Sequence, residues 1–170
     1  MDLFEAIFTR RSVRKYSGAP VSPDDLHMLL RAASYAPSAH NRQPWRFLVV
    51  RNPETLAAIS AEQPHGKMVA EANLVIIVCG DTTRQTMTGF LAEDCAAAMQ
   101  NILLAAHGLG LGAVWCGLYP DTPLVDLMVQ RFSLPESILP IGLIAVGHPL
   151  EETRPTAERF DPAKVHCEQW

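Results

Sequence analysis

The sequence has no excess of basic residues and no long apolar run, and these absences exclude several classes of protein. Its 170 residues carry 14 Lys and Arg against 18 Asp and Glu, a net charge of −4. This balance argues against a general nucleic-acid binder, which would present a basic surface to phosphates. No apolar run reaches the roughly 20 residues of a membrane-spanning helix. The start, MDLFEAIFTRR, runs from acid to basic, the reverse of a secretory signal, so we expect a cytoplasmic protein.

The cysteines are too few and too scattered to predict a metal site or a disulfide framework. Cys79, Cys95, Cys116 and Cys167 form no CxxC pair, and no histidine stands at zinc-finger spacing from any of them. A chain of this length can bury a sizeable core without crosslinks. We therefore expect reduced thiols, most of them buried as small apolar side chains, and no metal site.

The usual signatures of side-chain catalysis are also missing. The sequence has no GxSxG, no HExxH and no Walker loop. Glu93 and Asp94 are adjacent, so they do not face each other on a helix. His107 ends an apolar segment and is interpreted as a capping or core residue, whereas either a structural or a catalytic role is open for His148. If the chain is an enzyme, we expect a cofactor to carry the chemistry, with no catalytic side chain.

Helical and strand-like segments alternate along the chain, without a repeat or a dividing linker. Ser22 as N-cap with Pro23 behind it starts the second helix, which must end near Pro37. Residues 89–107 are apolar nearly all round, as in a central helix, and Gly108 is predicted as its C-cap. The remaining predicted helices are 2–11, 54–62 and 122–132, and the predicted strands are 46–52, 73–80, 112–119 and 141–149.

This alternation predicts one domain over residues 1–170, of α+β or mixed α/β class, with helices covering a sheet. Residues 73–80 form a β-branched run that is typical of a strand buried on both faces. The C-terminal extension, residues 150–170, is polar and irregular but ends on Trp170. A terminal Trp usually needs a place to bury its ring, so we expect this extension to pack on a second subunit.

The segment RRSVRK, residues 10–15, is a local concentration of donors in an acidic chain. Converging guanidinium groups and a hydroxyl would hold a phosphate, since guanidinium matches phosphate oxygens bidentately. The alternative is that these basic residues only complement the dipole of the preceding helix and stay solvated. GLGLGA, residues 108–113, suggests a dinucleotide fingerprint, but it follows a helix and precedes a strand. That order is the reverse of what the fingerprint requires, so we interpret it as a cap and a turn.

The loop YAPSAHNRQPWRF, residues 35–47, carries more polar groups than a connector needs. Ser38 and Asn41 could make local turns, and Trp45 and Phe47 could be core residues. Neither role explains the crowding of polar side chains from 38 to 43. Amide side chains offer a donor and an acceptor together, which suits the edge of a heteroaromatic ring.

Four stretches together resemble the FMN-dependent nitroreductase family, most closely its short members of about this length. They are RRSVRKY after the first helix, PSAHNRQPWRF after the second, the alanine-rich helix continuing into GLGLGAVWCG, and the late strand ending in GHP. RFDPAKVHCEQW also resembles the tails of those short members. The resemblance spans essentially the whole chain, in the same order.

The resemblance implies a nitroreductase-like central mixed sheet flanked by helices, in an intertwined homodimer with FMN at the interface. The residues that match the grip on the FMN phosphate and ribityl chain are Arg10, Arg11, Ser12 and Arg14. Those that match the segment lining the isoalloxazine, often contributed by the other subunit, are Pro37, Ser38, Ala39 and Asn41. Gln43 contacts the ring or only braces this loop. Those that match the stretch lying against the ring are Trp115, Cys116 and Gly117. Lys67 matches a lysine that contacts the ribityl and pyrimidine side in some members, and Arg154 or Arg159, the latter preferred, returns to the phosphate.

The activity that the resemblance implies is an FMN-dependent oxidoreductase. It would take hydride from NADH or NADPH and reduce small electron-poor acceptors, such as nitroaromatics and quinones, with ping-pong kinetics. The chain has only DTTRQTMTG where larger members insert the helices that shape the channel, and Cys116 stands where they often have an acid. The alternatives are another flavin reaction on this scaffold, such as dehalogenation, enone reduction or flavin breakdown, and a flavin-binding or sensing protein with little turnover.

Overall fold

The computed structural model describes residues 1–151 and 157–170, and this part of the chain contains five α-helices and four strands. The helices are α1 (Leu3–Thr9), α2 (Pro23–Ser34), α3 (Pro53–Glu62), α4 (Thr88–Gly108) and α5 (Thr122–Phe132). The strands are β1 (Trp45–Val50), β2 (Leu74–Asp81), β3 (Gly112–Gly117) and β4 (Ile138–Gly147). Short 3-10 turns lie at Ala39–Asn41, Lys67–Glu71 and Pro162–Lys164. The predicted alternation of helices and strands is confirmed.

The four strands form one sheet in the order β1-β2-β4-β3, and every neighbouring pair is antiparallel. The α+β class is confirmed. In the described residues, the only parallel pairing is a single bridge between Ser12 and Ala113 of β3. Since neighbouring strands lie about 4.8 Å apart, the outer strands β1 and β3 are separated by about 14 Å.

Helices cover both faces of the sheet, so the sheet separates the core into two layers. α2 and α4 pack on one face, where sheet residues such as Ile76 and Ile144 meet Leu29 and Met99. α3 and α5 pack on the other face. Because both faces are covered, every residue of β2 is buried, as its β-branched run predicts. Three of the free cysteines are also buried, whereas Cys167 is exposed.

The starts of the helices follow the signals in the sequence. The Ser22 side chain accepts a hydrogen bond from the backbone N–H of Asp25 at 3.0 Å, and Pro23 occupies the first turn of α2. The end of α4 differs from the prediction. Gly108 is the last helical residue rather than the cap, and the left-handed conformation falls on Gly110, with φ 73°. The prediction of Gly108 as C-cap is therefore wrong, because the chain reverses two residues later.

β4 begins at Ile138, three residues before the predicted start. The predicted strand, residues 141–149, left out Pro140, which has no backbone N–H to donate to a strand ladder. Here Pro140 faces Cys79 at the register shift between Val78 and Cys79, an irregularity that accommodates the missing donor.

Two segments leave large apolar side chains in solvent. α1 has no buried residue, and Phe4 and Phe8 are 66% and 67% exposed. In the tail, Phe160 is 72% exposed and Trp170 fully exposed, apart from a stacking contact with His166. Within residues 1–151 and 157–170, these side chains therefore lie against no apolar surface that covers them.

Candidate active site

The basic N-terminal segment lies directly against β3. The backbone N–H of Val13 donates to the carbonyl of Ala113 at 3.0 Å, and the Tyr16 hydroxyl donates to the carbonyl of Val13 at 2.8 Å. Only glycine fits at position 112, because a Cβ there would lie 2.6 Å from Cγ1 of Val13. The structure thus brings the segment RRSVRK next to the segment GAVWCG, two segments that the sequence analysis assigns to the same candidate site.

Three guanidinium groups gather where this segment begins; we call Arg10, Arg11 and Arg159 the basic cluster. Burial lowers the pKa of Arg10 below its ordinary value, and the charges of Arg159 and Arg11 lower it further. Like charges collect at a cost, which an anion between them would relieve. Arg159, the preferred of the two late arginines in the sequence prediction, is thus close enough to Arg10 for their charges to interact. Arg154, the other candidate, lies outside the described residues.

His107 lies beside the basic cluster at the end of α4. The Thr9 hydroxyl donates to the carbonyl of Glu5 at 2.6 Å, so its 2.7 Å contact with Nε2 of His107 has the imidazole N–H as donor. Burial and the nearby charge of Arg10 lower the pKa of His107. This hydrogen bond between α1 and α4 supports the predicted structural role.

β3 supplies exposed backbone and one exposed aromatic ring. Trp115 is 37% exposed, whereas Cys116 is 5% exposed. Burial raises the pKa of the Cys116 thiol, and the nearby Arg14 opposes this rise. The Cys116 thiol contacts the carbonyl of His65 at 3.7 Å, so it faces the interior. Of these residues, Trp115 and the backbone of Gly117 are accessible to a ligand.

The outer edge of β3 carries backbone groups that point away from the sheet. The carbonyl of Ala113 accepts from Val13, and the carbonyl of Gly117 accepts from Nε2 of Gln63 at 3.0 Å. Because backbone direction alternates along a strand, the N–H and C=O of Trp115 face this same edge, between those two contacts. A planar group placed beside Trp115 would therefore find a backbone donor and a backbone acceptor.

A buried glutamine fixes the turn that carries Lys67. Gln63 is 2% exposed; besides the bond to Gly117, its Oε1 accepts from the backbone N–H of His65 at 2.8 Å. A Cβ at Gly66 would lie 2.8 Å from the Gln63 side chain, so the turn packs tightly on it. Lys67 follows and is exposed. The turn is thus tied to the end of β3, on the same side as the basic segment.

The predicted ring-lining loop, residues 37–43, has an unusual backbone. His40, Asn41 and Gln43 adopt positive φ values of 53°, 53° and 48°. Such conformations cost of order 1 kcal/mol each outside glycine, and they cluster at functional sites. The Gln43 backbone donates to Oγ of Ser38 at 2.9 Å, and its side chain donates to Oδ1 of Asn41 at 3.2 Å. These two hydrogen bonds brace the loop internally.

The strained loop is fastened to α4 and to the turn before it. Oδ1 of Asp94 accepts from the backbone N–H of Ala39 at 2.8 Å. The Arg42 side chain donates to Oε1 of Gln85 at 2.9 Å, and Nε of Arg84 donates to the carbonyl of Arg42 at 2.9 Å. On the other side, the buried Pro44 and Trp45 join the loop to β1, so Trp45 is a core residue, as one interpretation of the sequence has it.

Within one chain, the two parts of the predicted site do not meet. The 37–43 loop precedes β1, whereas the basic segment and Trp115 lie along β3, the opposite edge of the sheet. Contacts along α4 also show that the two parts are far apart. Asp94 contacts the loop, whereas His107, which is close to Arg10, lies about 20 Å further along the same helix.

Sequence reasoning missed three residues of this arrangement: Gln63, Gln85 and Asp94. All three are buried polar side chains that organise a neighbouring segment. Their partners are distant in sequence, so no local spacing reveals them. The only available signal was a polar residue inside an otherwise apolar pattern, as Asp94 is in α4.

Other kinds of site find no support in the described residues. No group of three or more His, Cys, Asp or Glu in residues 1–151 and 157–170 could hold a metal ion. In the same residues, no helix combines the length and apolar character needed to cross a membrane.

Known structures share this arrangement over its full length. An FMN-dependent nitroreductase from Clostridium difficile R20291 superposes with a TM-score of 0.91, at 27% identity, covering 99% of this chain and 100% of that one. A provisionally named nitroreductase from Desulfovibrio desulfuricans, solved in complex with FMN, has a TM-score of 0.84 and 33% identity, covering 99% and 97%. The fold is therefore the nitroreductase fold.

The sequence comparisons lead to the same class. The nitroreductase family model matches residues 7–65 and 59–148. A relative from Methanothermobacter thermautotrophicus, provisionally named an NADH dehydrogenase/NAD(P)H nitroreductase, is 46% identical over 170 residues, which cover 100% of this chain and 88% of the relative. The chain belongs to the nitroreductase family.

Proposed function

We propose that this protein is an FMN-dependent NAD(P)H oxidoreductase that reduces small electron-poor acceptors. The observation that carries the proposal is the basic cluster beside the accessible edge of β3. It provides an anion site at one end and an exposed aromatic ring with backbone donors and acceptors at the other. The relatives named as FMN-dependent or NAD(P)H enzymes support the same assignment.

At the phosphate end, Arg10, Arg11 and Arg159 neutralise the dianionic phosphate of FMN, and the exposed Ser12 hydroxyl adds a donor. The lowered pKa of Arg10, caused by burial and by the charges of Arg159 and Arg11, supports this role, because an anion beside Arg10 would stabilise its charged form. Arg14, on the Cys116 side, reaches toward the ribityl chain. Lys67, on the turn held by Gln63, approaches from the same side.

At the ring end, Trp115 and Gly117 offer their backbone groups to the ring edge. Bound FMN supplies hydride transfer from a nicotinamide to an acceptor such as a nitroaromatic or a quinone. The backbone N–H groups and the nearby cations stabilise negative charge that develops on the ring, an electrostatic effect that needs no proton donor. No side chain acts as acid or base, so the protein binds, orients and shields.

The site is completed by a second copy of the chain. The 37–43 loop leads into β1, and β1 lies about 14 Å from β3 in its own chain, too far for the loop to line the same ring edge. The exposed apolar face of α1 and the exposed tail supply surfaces that a partner would cover. In the dimer, Pro37, Ser38, Ala39 and Asn41 of one chain line the ring held by the other chain. The extension 150–170 packs on the partner subunit.

Turnover tests the redox assignment. The purified protein is incubated with FMN, freed of excess flavin and assayed with NADH or NADPH and a quinone or nitroaromatic. We expect steady nicotinamide oxidation and parallel double-reciprocal plots, because donor and acceptor occupy one site in turn. A protein that retains FMN but oxidises neither nicotinamide would be a binding or sensing protein instead.

Mixing two defective variants tests the shared site. Arg10→Ala damages the phosphate end, and Asn41→Ala damages the ring-lining loop. If each site takes these parts from different chains, a mixed dimer contains one intact site and one doubly damaged site. We expect refolded mixtures to recover tight FMN binding in part of the sites. If mixing restores nothing while mixed dimers form, both parts come from the same chain.

A further inference from the structure

The carboxylate of Asp94 is buried in the middle of the fold and has no role in the function proposed above. Asp94 lies on α4 and is 6% exposed. Its Oδ1 accepts from the backbone N–H of Ala39 at 2.8 Å. Its Oδ2 is buried and has no hydrogen-bond partner in the described residues. Burying a carboxylate with one oxygen unsatisfied destabilises a protein, so packing alone does not account for this residue.

The contact falls at the start of the strained backbone. Ala39 opens the 3-10 turn Ala39–Asn41, and the left-handed residues His40, Asn41 and Gln43 follow at once. Strained conformations persist only where their surroundings over-determine them. Within the loop, the Ser38 side chain fixes the Gln43 backbone, but this bond is internal to the loop. The charge-assisted bond from Ala39 to Asp94 fixes the same turn to a rigid helix.

We propose that Asp94 is a positioning residue that holds the 37–43 loop in the shape in which it meets the flavin ring. The inference rests on the proposed function, since it needs a flavin to be positioned. The destabilising burial of this carboxylate is then explained, because it sets the loop on α4 before ligand binds. Gln85 and Arg84 restrain the loop further along, at Arg42, and leave the Ala39 end to Asp94.

Asp94→Ala and Asp94→Asn separate this role from a general effect on folding. Asparagine keeps an oxygen that accepts from Ala39, whereas alanine removes it. Glu93→Gln is the matched control, because Glu93 is the exposed neighbour on the same helix. Thermal unfolding of each flavin-free variant establishes the temperature range in which all are folded, and the following measurements are made there.

The first measurement is hydrogen exchange at the Ala39 amide in the flavin-free protein. We expect exchange to accelerate at least tenfold in Asp94→Ala, to change less in Asp94→Asn and to stay unchanged in Glu93→Gln. Equal exchange in Asp94→Ala and the parent protein would overturn the inference. This arm does not depend on flavin, so it reports on Asp94 even if the proposed function fails.

The second measurement compares affinities for FMN and for riboflavin, which lacks the phosphate. Asp94→Ala should weaken both by a similar factor, about tenfold, because it disturbs the ring end alone. Arg10→Ala should weaken FMN binding and leave riboflavin binding nearly unchanged. If the parent protein binds neither flavin, the proposed function fails. If the parent binds flavin and Asp94→Ala binds both flavins equally well, the positioning role is wrong.

Discussion

At the scale of single residues, the site depends on charges that the fold gathers before any ligand arrives. Arg10 is half-buried and lies near Arg159 and Arg11, so its own charge is destabilised in the free protein. An anion that pairs with several guanidinium groups gains more than it would from one group in water. Under the proposed function, removing Arg10 should therefore affect phosphate binding more than folding.

Arg10→Ala and Arg14→Ala test whether these arginines hold the phosphate and the ribityl chain of FMN. Each removes one charge-assisted contact, worth about 1.5–3 kcal/mol, so FMN affinity should fall by roughly ten- to a hundredfold. Fluorescence titration of the flavin-free protein gives the dissociation constants. Lys15→Ala is the matched control, because Lys15 is exposed and pairs with Glu151 at 2.9 Å. Full affinity in both arginine variants would show that the phosphate lies elsewhere.

Trp45→Ala and Asn41→Ala should distinguish a residue that anchors the 37–43 loop to the core from one that lines the flavin ring. Trp45 is 7% exposed in the core layer below the loop, so its truncation should cost about 3–5 kcal/mol of unfolding free energy. Asn41 is exposed, and its truncation should alter flavin affinity or reduction rate more than stability. Urea unfolding and flavin titration on both variants check the contrast. Equal stability loss in both would mean that the loop and its anchor are one structural unit.

Residues with local signals were predictable, and those with tertiary partners were not. The converging arginines, the polar loop and the AVWCG stretch each stand out in sequence because their composition departs from their surroundings. Asp94 and Gln63 do not, since the hydrogen-bond partner of each lies more than 50 positions away along the chain. That the candidate site residues are divided between the two edges of the sheet could not be predicted either, because this follows from the strand order.

At the scale of elements, helix caps and β-branched runs predicted most helices and strands. The errors concern the ends of two elements, which tertiary packing determines. α4 ends later than its glycine suggests, and β4 extends through a proline at a sheet irregularity. The turn between β2 and α4 has its own organisation. Asp81 accepts from the Thr83 hydroxyl at 2.5 Å and pairs with Arg46 at 2.7 Å, and this turn presents Gln85 to the 37–43 loop.

The turn should make stability depend on pH. Hydrogen bonds from Thr83, with a smaller contribution from Arg46, lower the pKa of Asp81 below its ordinary value. Its stabilisation is therefore complete above the unfolded pKa, about 3.9, and is lost as pH falls through the folded value. Asp81→Asn should destabilise clearly at pH 7 and much less at pH 3, measured by urea unfolding. Glu71→Gln, at an exposed carboxylate, is the control, and an equal effect of Asp81→Asn at both pH values would contradict this account.

At the scale of the whole molecule, the distribution of apolar surface favours a partner subunit. α1 and the tail expose aromatic side chains on a chain whose core is otherwise well buried. The predicted site residues also lie at both edges of one sheet. A two-fold dimer would cover the exposed aromatic side chains. It would also bring one edge of the sheet in each chain to the opposite edge in the other, because a two-fold interface pairs the same surfaces of both chains.

Phe8→Glu should therefore weaken both assembly and flavin binding. A charge on the exposed face of α1 would be desolvated in the interface, so sedimentation should show a larger monomer fraction and flavin occupancy should fall with it. Ala61→Glu, which adds the same charge at an exposed position of α3, is the control. A Phe8→Glu protein that stays dimeric with full flavin would remove α1 from the interface.

The most direct test of the central claim is the visible spectrum of the purified protein, followed by anaerobic addition of NADH and of NADPH. The account predicts flavin absorption that remains with the protein through gel filtration, about one FMN per chain, and bleaching by at least one nicotinamide with recovery on adding a quinone. A colourless protein that takes up no added FMN, or bound FMN that neither nicotinamide bleaches, would contradict it.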